Sequence, residues 1–346
     1  GLYRIEAPKL YPLFIQEYHR FLRRFPTYPK VDEAQFLMAH LYRRAGKPYQ
    51  AIAGYQKLLA VYPESPLCPA AQLNVGHVYY RDLKQYALAI QSYEKVPRNY
   101  PTSAEVLEAY RNMAEIAERK QKEYTAAIEY HEQIVKKYPH TPHALESLSA
   151  MARIYETKLK DYSMAIRTYE GIADMFPGDE AIKAFQQAAI IAEKRARNYL
   201  TAITLYEAIV RGYPKDDRAA DALNSIARIY TARMRDYEKA IQTYRRLADM
   251  FPDERGAEAL QRGATLAETR LKDYGETINI YNLFLRKYPE HEKAPWALYH
   301  IGEIYEKYLK DSSRAMEVYK RVVDRWPDSK FARKAQKRIK ALSKKK

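Results

Sequence analysis

Apolar and small residues recur along this chain at the spacing of one face of an α-helix. Counted back from a proline, a Tyr, an Ala, an Ile and a second Tyr stand 15, 12, 11 and 8 residues earlier in most copies. Tyr237, Ala240, Ile241 and Tyr244 before Pro252 are one example. Because successive steps are three, one and three, these side chains lie on one helix face. The pattern therefore predicts an amphipathic helix before each such proline.

An aromatic residue followed by proline closes each of these predicted helices. The nine copies are Phe25-Pro26, Tyr62-Pro63, Tyr100-Pro101, Tyr138-Pro139, Phe176-Pro177, Tyr213-Pro214, Phe251-Pro252, Tyr288-Pro289 and Trp326-Pro327. The interval between successive prolines of this set never varies by more than one position. Proline lacks a backbone donor and restricts the residue before it, so it ends a helix. A nearly constant period of this length indicates a repeat protein in which one supersecondary unit is stacked many times.

A second amphipathic helix is predicted between each proline and the next tyrosine-rich helix, as at 222–230. Ala227 on that helix and Ala240 on the following one are small enough for the two helices to approach closely, and Tyr244 fills the space between them. Side-chain caps are predicted just before four of the tyrosine-rich helices: Asp161, Asn198, Asp236 and Asp273. The chain is thus predicted to be an all-α series of helical hairpins.

This pattern resembles the tetratricopeptide repeat family. The small, aromatic, small, aromatic, apolar and proline positions of that family match Ala227, Tyr230, Ala240, Tyr244, Leu247 and Pro252. The longer turn after the aromatic, as in 138–141, resembles the subfamily of bacterial envelope proteins, such as the lipoprotein subunit of outer-membrane assembly machinery and the Tol–Pal coordinating protein. The resemblance implies a right-handed α-solenoid whose first helices line a concave, protein-binding face.

We expect one solenoid over residues 1–346. It would contain a half repeat at 10–26, about eight full hairpins at 27–327, a half repeat at 328–342 and a basic tail at 343–346. A longer period is also present, since the segment 173–177 recurs unchanged as 248–252, two repeats later. This indicates a duplicated unit of two hairpins, which we call the double repeat.

The two half repeats leave two interpretations open. The N-terminal half repeat exposes Phe14, Tyr18, Phe21 and Leu22, because no preceding helix covers them. The C-terminal half repeat carries an apolar stripe of its own: Phe331, Ala335, Ile339 and Leu342. The last helix is either a polar cap that keeps the stack soluble, or it pairs with the first helix of another copy. Head-to-tail pairing of that kind builds a ring or a filament.

Charge is concentrated at the ends of the chain. The formal net charge is +16, of which 325–346 contribute +9 and 1–30 contribute +4. The nearly neutral middle lacks the basic stripe that a nucleic-acid groove needs. Only the basic C-terminus could then touch an anionic surface, either nucleic acid or membrane lipid.

Other features of the sequence limit the compartment and the class of protein. No apolar run is long enough to predict a membrane span, and the single Cys68 cannot form an internal disulfide. The chain starts with Gly1, which fits either removal of a signal sequence or a residue left by cloning. We expect the bacterial cell envelope or exterior, with the cytoplasm as the alternative.

The sequence offers no arrangement for catalysis, a cofactor or a metal. The eight His are scattered, and neither a Gly-rich phosphate loop nor a nucleophile elbow is present. His131 stands where most repeats have Tyr, so it is expected to replace that Tyr in the core with a satisfied ring nitrogen.

Protein binding is the function that remains. By the resemblance, candidate groove residues lie on the first helices: Arg153, Glu156, Asn224, Arg228, Trp296, Tyr299 and Glu303. Trp296 and Tyr299 are either aromatic anchors for a partner or a cover for the core of the last hairpin. The predicted function is a non-catalytic scaffold for protein partners. The alternatives are head-to-tail self-assembly and binding of anions by the C-terminus.

Overall fold

Amphipathic helices of three to four turns form throughout the part of the chain that the structure describes. The structure is a computed structural model and describes residues 8–344. Of the predicted basic tail, Lys345 and Lys346 lie outside this range. Eighteen α-helices and no strands occur in residues 8–344, which confirms the all-α solenoid class. The helices group into two compact units, Gly1–Thr168 and Tyr169–Lys346. A single domain over the whole chain stays a prediction.

The first unit begins with one unpaired helix and continues as hairpins. After a 3₁₀ turn at Pro8–Leu10, its helices are α1 (Tyr11–Arg24), α2 (Val31–Arg44), α3 (Pro48–Val61), α4 (Cys68–His77), α5 (Tyr86–Asn99), α6 (Glu105–Ile116), α7 (Tyr124–Lys137), α8 (Pro142–Ile154) and the start of α9 (Tyr162–Met175).

The second unit repeats the hairpin and ends with one unpaired helix. After the end of α9, its helices are α10 (Asp179–Lys194), α11 (Tyr199–Gly212), α12 (Asp217–Ile229), α13 (Tyr237–Met250), α14 (Glu254–Leu266), α15 (Tyr274–Lys287), α16 (Ala294–Lys307), α17 (Ser312–Arg325) and α18 (Lys330–Ser343). Even-numbered helices are the first of each hairpin and odd-numbered ones the second.

The second helices begin and end where the sequence predicts. All four predicted caps accept a hydrogen bond from the backbone N–H three residues on, at 2.8–3.1 Å: Asp161, Asn198, Asp236 and Asp273. In α15 the helix ends at Lys287, and Tyr288 closes it by donating its N–H to the carbonyl of Phe284. The following proline cannot continue the helix.

Several first helices end in a way that the sequence did not predict. Five of them run into a π-helical turn: Val78–Asp82, Ala117–Gln121, Tyr155–Leu159, Tyr230–Met234 and Ala267–Leu271. A basic residue with positive φ then reverses the chain, for example Lys272 at 55° and Arg235 at 56°. Glycine usually takes this left-handed conformation because a Cβ atom is disfavoured there.

The two helices of a hairpin cross as predicted, and the residues at the crossing are buried. The alanines at the recurring small position of the second helices are all fully buried: Ala51, Ala89, Ala127, Ala165, Ala202, Ala240 and Ala315. Tyr55, Tyr93, Tyr281 and Tyr319, one turn further along their helices, are among the largest fully buried side chains. The small residue permits close approach of the helices, and the aromatic ring fills the remaining volume.

The last helix, α18, packs its apolar side against its own chain. Ala335 and Leu342 of α18 are buried in the core that includes α16 and α17, and Phe331 and Ile339 pack partly against the same core. The opposite side of α18 is exposed and basic: Lys330, Arg333, Lys334, Lys337 and Lys340. The apolar stripe is therefore occupied within the chain, which favours the polar-cap interpretation of the last helix.

The first helix is covered on one side only. Tyr11 and Ile15 are buried beside Leu41, and Phe14 and Tyr18 pack partly against them. A groove of about 360 Å³ remains open between α1 and α2, lined by residues that include Phe14, Tyr18, Phe21, Ala34 and Leu37. Leu13 and Phe25 remain 52% and 47% exposed. Within the described residues 8–344, α1 thus keeps an apolar face that no other helix covers.

Candidate functional site

A large cleft of the second unit lies between the first helices of two successive hairpins. It has a volume of about 840 Å³. Asn224 and Arg228 reach it from α12, and Gln261 and Thr265 reach it from α14. Each pair is spaced by four residues, which puts both side chains on one helix face. Tyr244 of α13 also lines the cleft.

Neutral polar groups dominate this cleft because its arginines already have partners. Arg262 donates to Glu258 at 3.1 Å, and Arg228 binds Glu193. The other lining side chains are mostly amides and hydroxyls, including those of Gln261 and Thr265, together with the cation Lys293. The amide oxygen of Asn224 accepts a hydrogen bond from Arg262 at 3.4 Å. The Nε2 atom of Gln261 is buried and has no hydrogen-bond partner among the described residues. Side-chain amides offer both donors and acceptors, which is the combination that a peptide backbone needs.

A two-pronged ion pair connects successive first helices in the second unit. Arg228 of α12 donates to both carboxylate oxygens of Glu193 in α10, at 2.8 and 3.0 Å. The Glu193 side chain is only 2% exposed, whereas that of Arg228 is 50% exposed. A buried carboxylate is costly unless it is paired. Arg228 therefore stabilises the contact between hairpins in addition to lining the cleft.

The same pair occurs one double repeat earlier, within the first unit. Arg153 of α8 donates to both oxygens of Glu118 at 2.7 and 3.1 Å. The hydrogen bond from Arg153 lowers the pKa of Glu118. A lowered pKa means that the stabilisation is present above the unfolded pKa of about 4.3 and is lost on further acidification. Arg111 and Glu146 form another pair between α6 and α8.

A smaller cleft of about 350 Å³ lies beside these pairs in the first unit. Arg111, Glu118, Glu146 and Arg153 line it together with His131. Burial lowers the pKa of His131 to about 4, so the ring is neutral at pH 7. Its Nδ1 atom is buried and has no hydrogen-bond partner among the described residues, contrary to the expectation of a satisfied nitrogen. His131 is therefore an imperfect substitute for the usual tyrosine.

Two sequence models of the tetratricopeptide repeat match the chain, one over residues 36–104 and 188–255 and the other over 108–141. All three matched stretches lie within the series of hairpins. The chain belongs to the tetratricopeptide repeat family. Tetratricopeptide repeats form scaffolds for protein–protein interaction, and proteins of this family are generally not catalysts.

A further family model, described as outer membrane lipoprotein (YfiO), matches residues 228–345 of this repeat protein. That range covers the last third of the chain and includes most of the large cleft. The predicted likeness to the envelope subfamily is thereby confirmed as a similarity. No match was found among curated proteins.

Solved structures of repeat proteins are similar over most of the chain, at low identity. Naa15/Naa10 bound to HypK-THB matches with 18% identity over 96% of this chain, which spans 60% of that one (TM-score 0.38). The C-terminal part of a TPR protein from Cytophaga hutchinsonii matches with 18% identity over 76% of this chain and 99% of that one (TM-score 0.36). A tetratricopeptide repeat protein from Parabacteroides merdae matches with 12% identity over 90% and 98% (TM-score 0.28).

The predicted groove residues do not all lie in one groove. Asn224 and Arg228 line the large cleft, and Arg153 lines the smaller one. Glu156 lies in the π-helical turn that follows α8 and is half-buried.

The aromatic pair near the C-terminus serves the core. Tyr299 is 8% exposed, with its ring 5.4 Å from Tyr319 and 5.8 Å from Phe331. This burial against α18 favours the interpretation of Tyr299 as a cover for the core of the last hairpin. Half-buried Trp296 stacks on His300 at 5.3 Å between ring centroids.

At Glu303 the series of Glu–Arg ion pairs between successive first helices is interrupted. It occupies the position of Arg228 one double repeat later, so a third copy of the pair would set it against Glu268. His300 instead lies between the two carboxylates, 2.9 Å from Glu268 and 3.3 Å from Glu303. Lys307 also binds Glu303, at 2.6 Å. Glu303 is thus committed to contacts within its own helix.

The described residues contain neither a membrane-spanning helix nor a cluster of metal ligands. None of the helices in 8–344 is long and apolar enough to cross a membrane. The same range holds no group of three or more His, Cys, Asp or Glu side chains placed to bind a metal ion.

Restoring the usual tyrosine at position 131 should stabilise the protein most in acid. The folded pKa of His131 is about 4, below the unfolded value of about 6.5. Between these values the unfolded chain binds more protons, so stability falls as the pH decreases. We expect His131→Tyr to raise the melting temperature, and the difference from the parent to grow between pH 7 and pH 5. Parallel melting profiles of parent and variant over this range would contradict the assignment.

Proposed function

We propose that the large cleft of the second unit holds an extended segment of a protein partner. The supporting observation is the composition of its walls, where Asn224, Gln261 and Thr265 present neutral polar groups while the arginines are engaged by acids. Neutral amides and hydroxyls recognise a peptide backbone without requiring a charged sequence. Tyr244 also lines this cleft, but its side chain is mostly used in the core of its hairpin, since only 8% of the residue is exposed.

The cell envelope is the compartment that we propose for this interaction. The family model described as outer membrane lipoprotein matches residues 228–345, a range that contains Gln261 and Thr265. In this proposal the protein is a non-catalytic scaffold that keeps an envelope partner in a fixed position.

Removing the two amides of the cleft should weaken the complex with a partner co-purified from the native source. Each lost hydrogen bond costs about 0.5–1.5 kcal/mol, so Asn224→Ala with Gln261→Ala should raise Kd about tenfold. Titration of the purified partner with each purified variant measures the effect.

A matched control removes the same two residue types outside the cleft. Gln242 on α13 and Asn279 on α15 are exposed and do not line the cleft. Gln242→Ala with Asn279→Ala should leave Kd unchanged. Equal affinity of both double variants and the parent would contradict binding in this cleft.

Self-association is the second candidate, and the uncovered N-terminal face favours it. Leu13 and Phe25 are about half exposed there, whereas the exposed side of α18 is basic. Since the C-terminal end offers no matching apolar face, we propose that two N-terminal faces meet across a two-fold axis. Such an interface closes as a dimer and does not propagate into a filament.

The dimer is tested by measuring mass in solution with light scattering across a dilution series. We expect the parent to rise above its monomer mass of 40.5 kDa as concentration increases, and Leu13→Glu with Phe25→Glu to remain monomeric. Leu159→Glu with Leu200→Glu changes two exposed leucines elsewhere and should behave as the parent does. A parent that is monomeric at all concentrations would exclude the dimer.

A further inference from the structure

A pocket of about 670 Å³ opens between α15 and α17, the second helices of two successive hairpins. Asn282 and Arg286 from α15 line it, together with Arg321, Asp324 and Arg325 from α17. Buried side chains of α15 and α16 also form part of its wall. Three arginines and one aspartate therefore line one concave site.

The equivalent position one double repeat earlier shows what is unusual about this pocket. There, Arg246 of α13 binds Glu207 of α11 at 2.7 and 2.9 Å. Asn282 takes the place of Glu207, and Arg321 takes the place of Arg246. The acid of the pair has thus become a neutral amide, and its arginine is left without that partner.

A second exchange adds a further positive charge. Arg325 takes the place of Met250, whereas Arg286 and Asp324 repeat Arg211 and Asp249. The earlier position has two acids and two arginines, and its Asp249 binds Lys287 at 2.8 Å. The pocket between α15 and α17 has one acid and three arginines.

The three arginines are not neutralised by the rest of the described chain. Arg286, Arg321 and Arg325 form no ion pair or hydrogen bond within residues 8–344, although Arg325 lies over the ring of Trp326 at 4.8 Å. A guanidinium group stays charged at any physiological pH. A concave surface also concentrates the field of such charges.

We propose that this pocket binds two neighbouring carboxylates on an acidic segment of a protein partner. Each carboxylate fits the planar fork of a guanidinium group. Asp324 opposes a continuous phosphate backbone but accepts a backbone N–H of a peptide. The apolar part of the wall comes from Leu285 and Leu298, and it suits an aliphatic residue beside the acids. The site is separate from the large cleft, and its assignment does not depend on the function proposed for that cleft.

A direct test uses a fluorescein-labelled peptide with two adjacent Glu flanked by Leu, and the same peptide with Gln in place of Glu. Fluorescence anisotropy with the full chain gives each Kd. We expect the Glu peptide to bind at least tenfold more tightly than the Gln peptide, and binding to weaken as salt is added. Equal affinity for the two peptides would overturn the proposal.

Restoring the residues found one double repeat earlier provides the decisive variant. Asn282→Glu with Arg325→Met reproduces the earlier set and should weaken binding of the Glu peptide at least tenfold. Arg321→Gln, a single change at an exposed side chain, should weaken it severalfold and checks the same site independently. Full affinity in both variants would place the peptide elsewhere and overturn the proposal.

A control with the same change in charge separates the pocket from general attraction. Arg333→Gln with Lys337→Gln removes two exposed positive charges on α18 and should change Kd less than twofold. A loss equal to that of the pocket variant would show that only net charge matters. Tighter binding of a single-stranded DNA of equal charge would assign the pocket to nucleic acid and overturn the peptide proposal.

Discussion

The close crossing of two helices at a buried alanine is the contact on which the rest of the structure depends. Ala240 of α13 is fully buried, and Tyr244 one turn later fills the volume beside it. A hairpin closed in this way still has apolar surface that only a neighbouring hairpin can cover. Stacking brings the first helices side by side, and their exposed faces then form the clefts. The geometry of the candidate sites thus follows from a packing rule that recurs with every hairpin.

The double repeat determines which arginines are paired with acids within the chain and which remain available to a partner. Glu118–Arg153 and Glu193–Arg228 are equivalent pairs in successive double repeats, and each commits an arginine of the predicted groove to an acid of the preceding hairpin. Amides and hydroxyls consequently make up most of the other side chains that line the large cleft. Between α15 and α17 the reverse has happened, because Asn282 replaces the acid that pairs with Arg246 one double repeat earlier.

The helices, their caps and the buried alanines could be predicted from the sequence because they depend on local spacing and on one periodic pattern. Asn198 and Asp273 cap the predicted helices, and α18 lies within two residues of its expected bounds. The use of α18 could not be predicted, since an apolar stripe does not reveal which neighbour covers it. Tyr299 was ambiguous for the same reason. The ion-pair ladder left a signal in the sequence, because an acid and an arginine on successive first helices recur together in the next double repeat. Only the stacking register shows that those side chains meet.

The central claim is that the arginines of the first helices hold neighbouring hairpins together. The most direct test is a double-mutant cycle for unfolding with Glu193→Gln, Arg228→Met and the combined variant. Because Glu193 is almost completely buried and accepts two hydrogen bonds from Arg228, we predict a favourable coupling free energy of about 1–2 kcal/mol. Additive effects of the two substitutions, with a coupling near zero, would contradict the account and return Arg228 to the residues free to bind a partner.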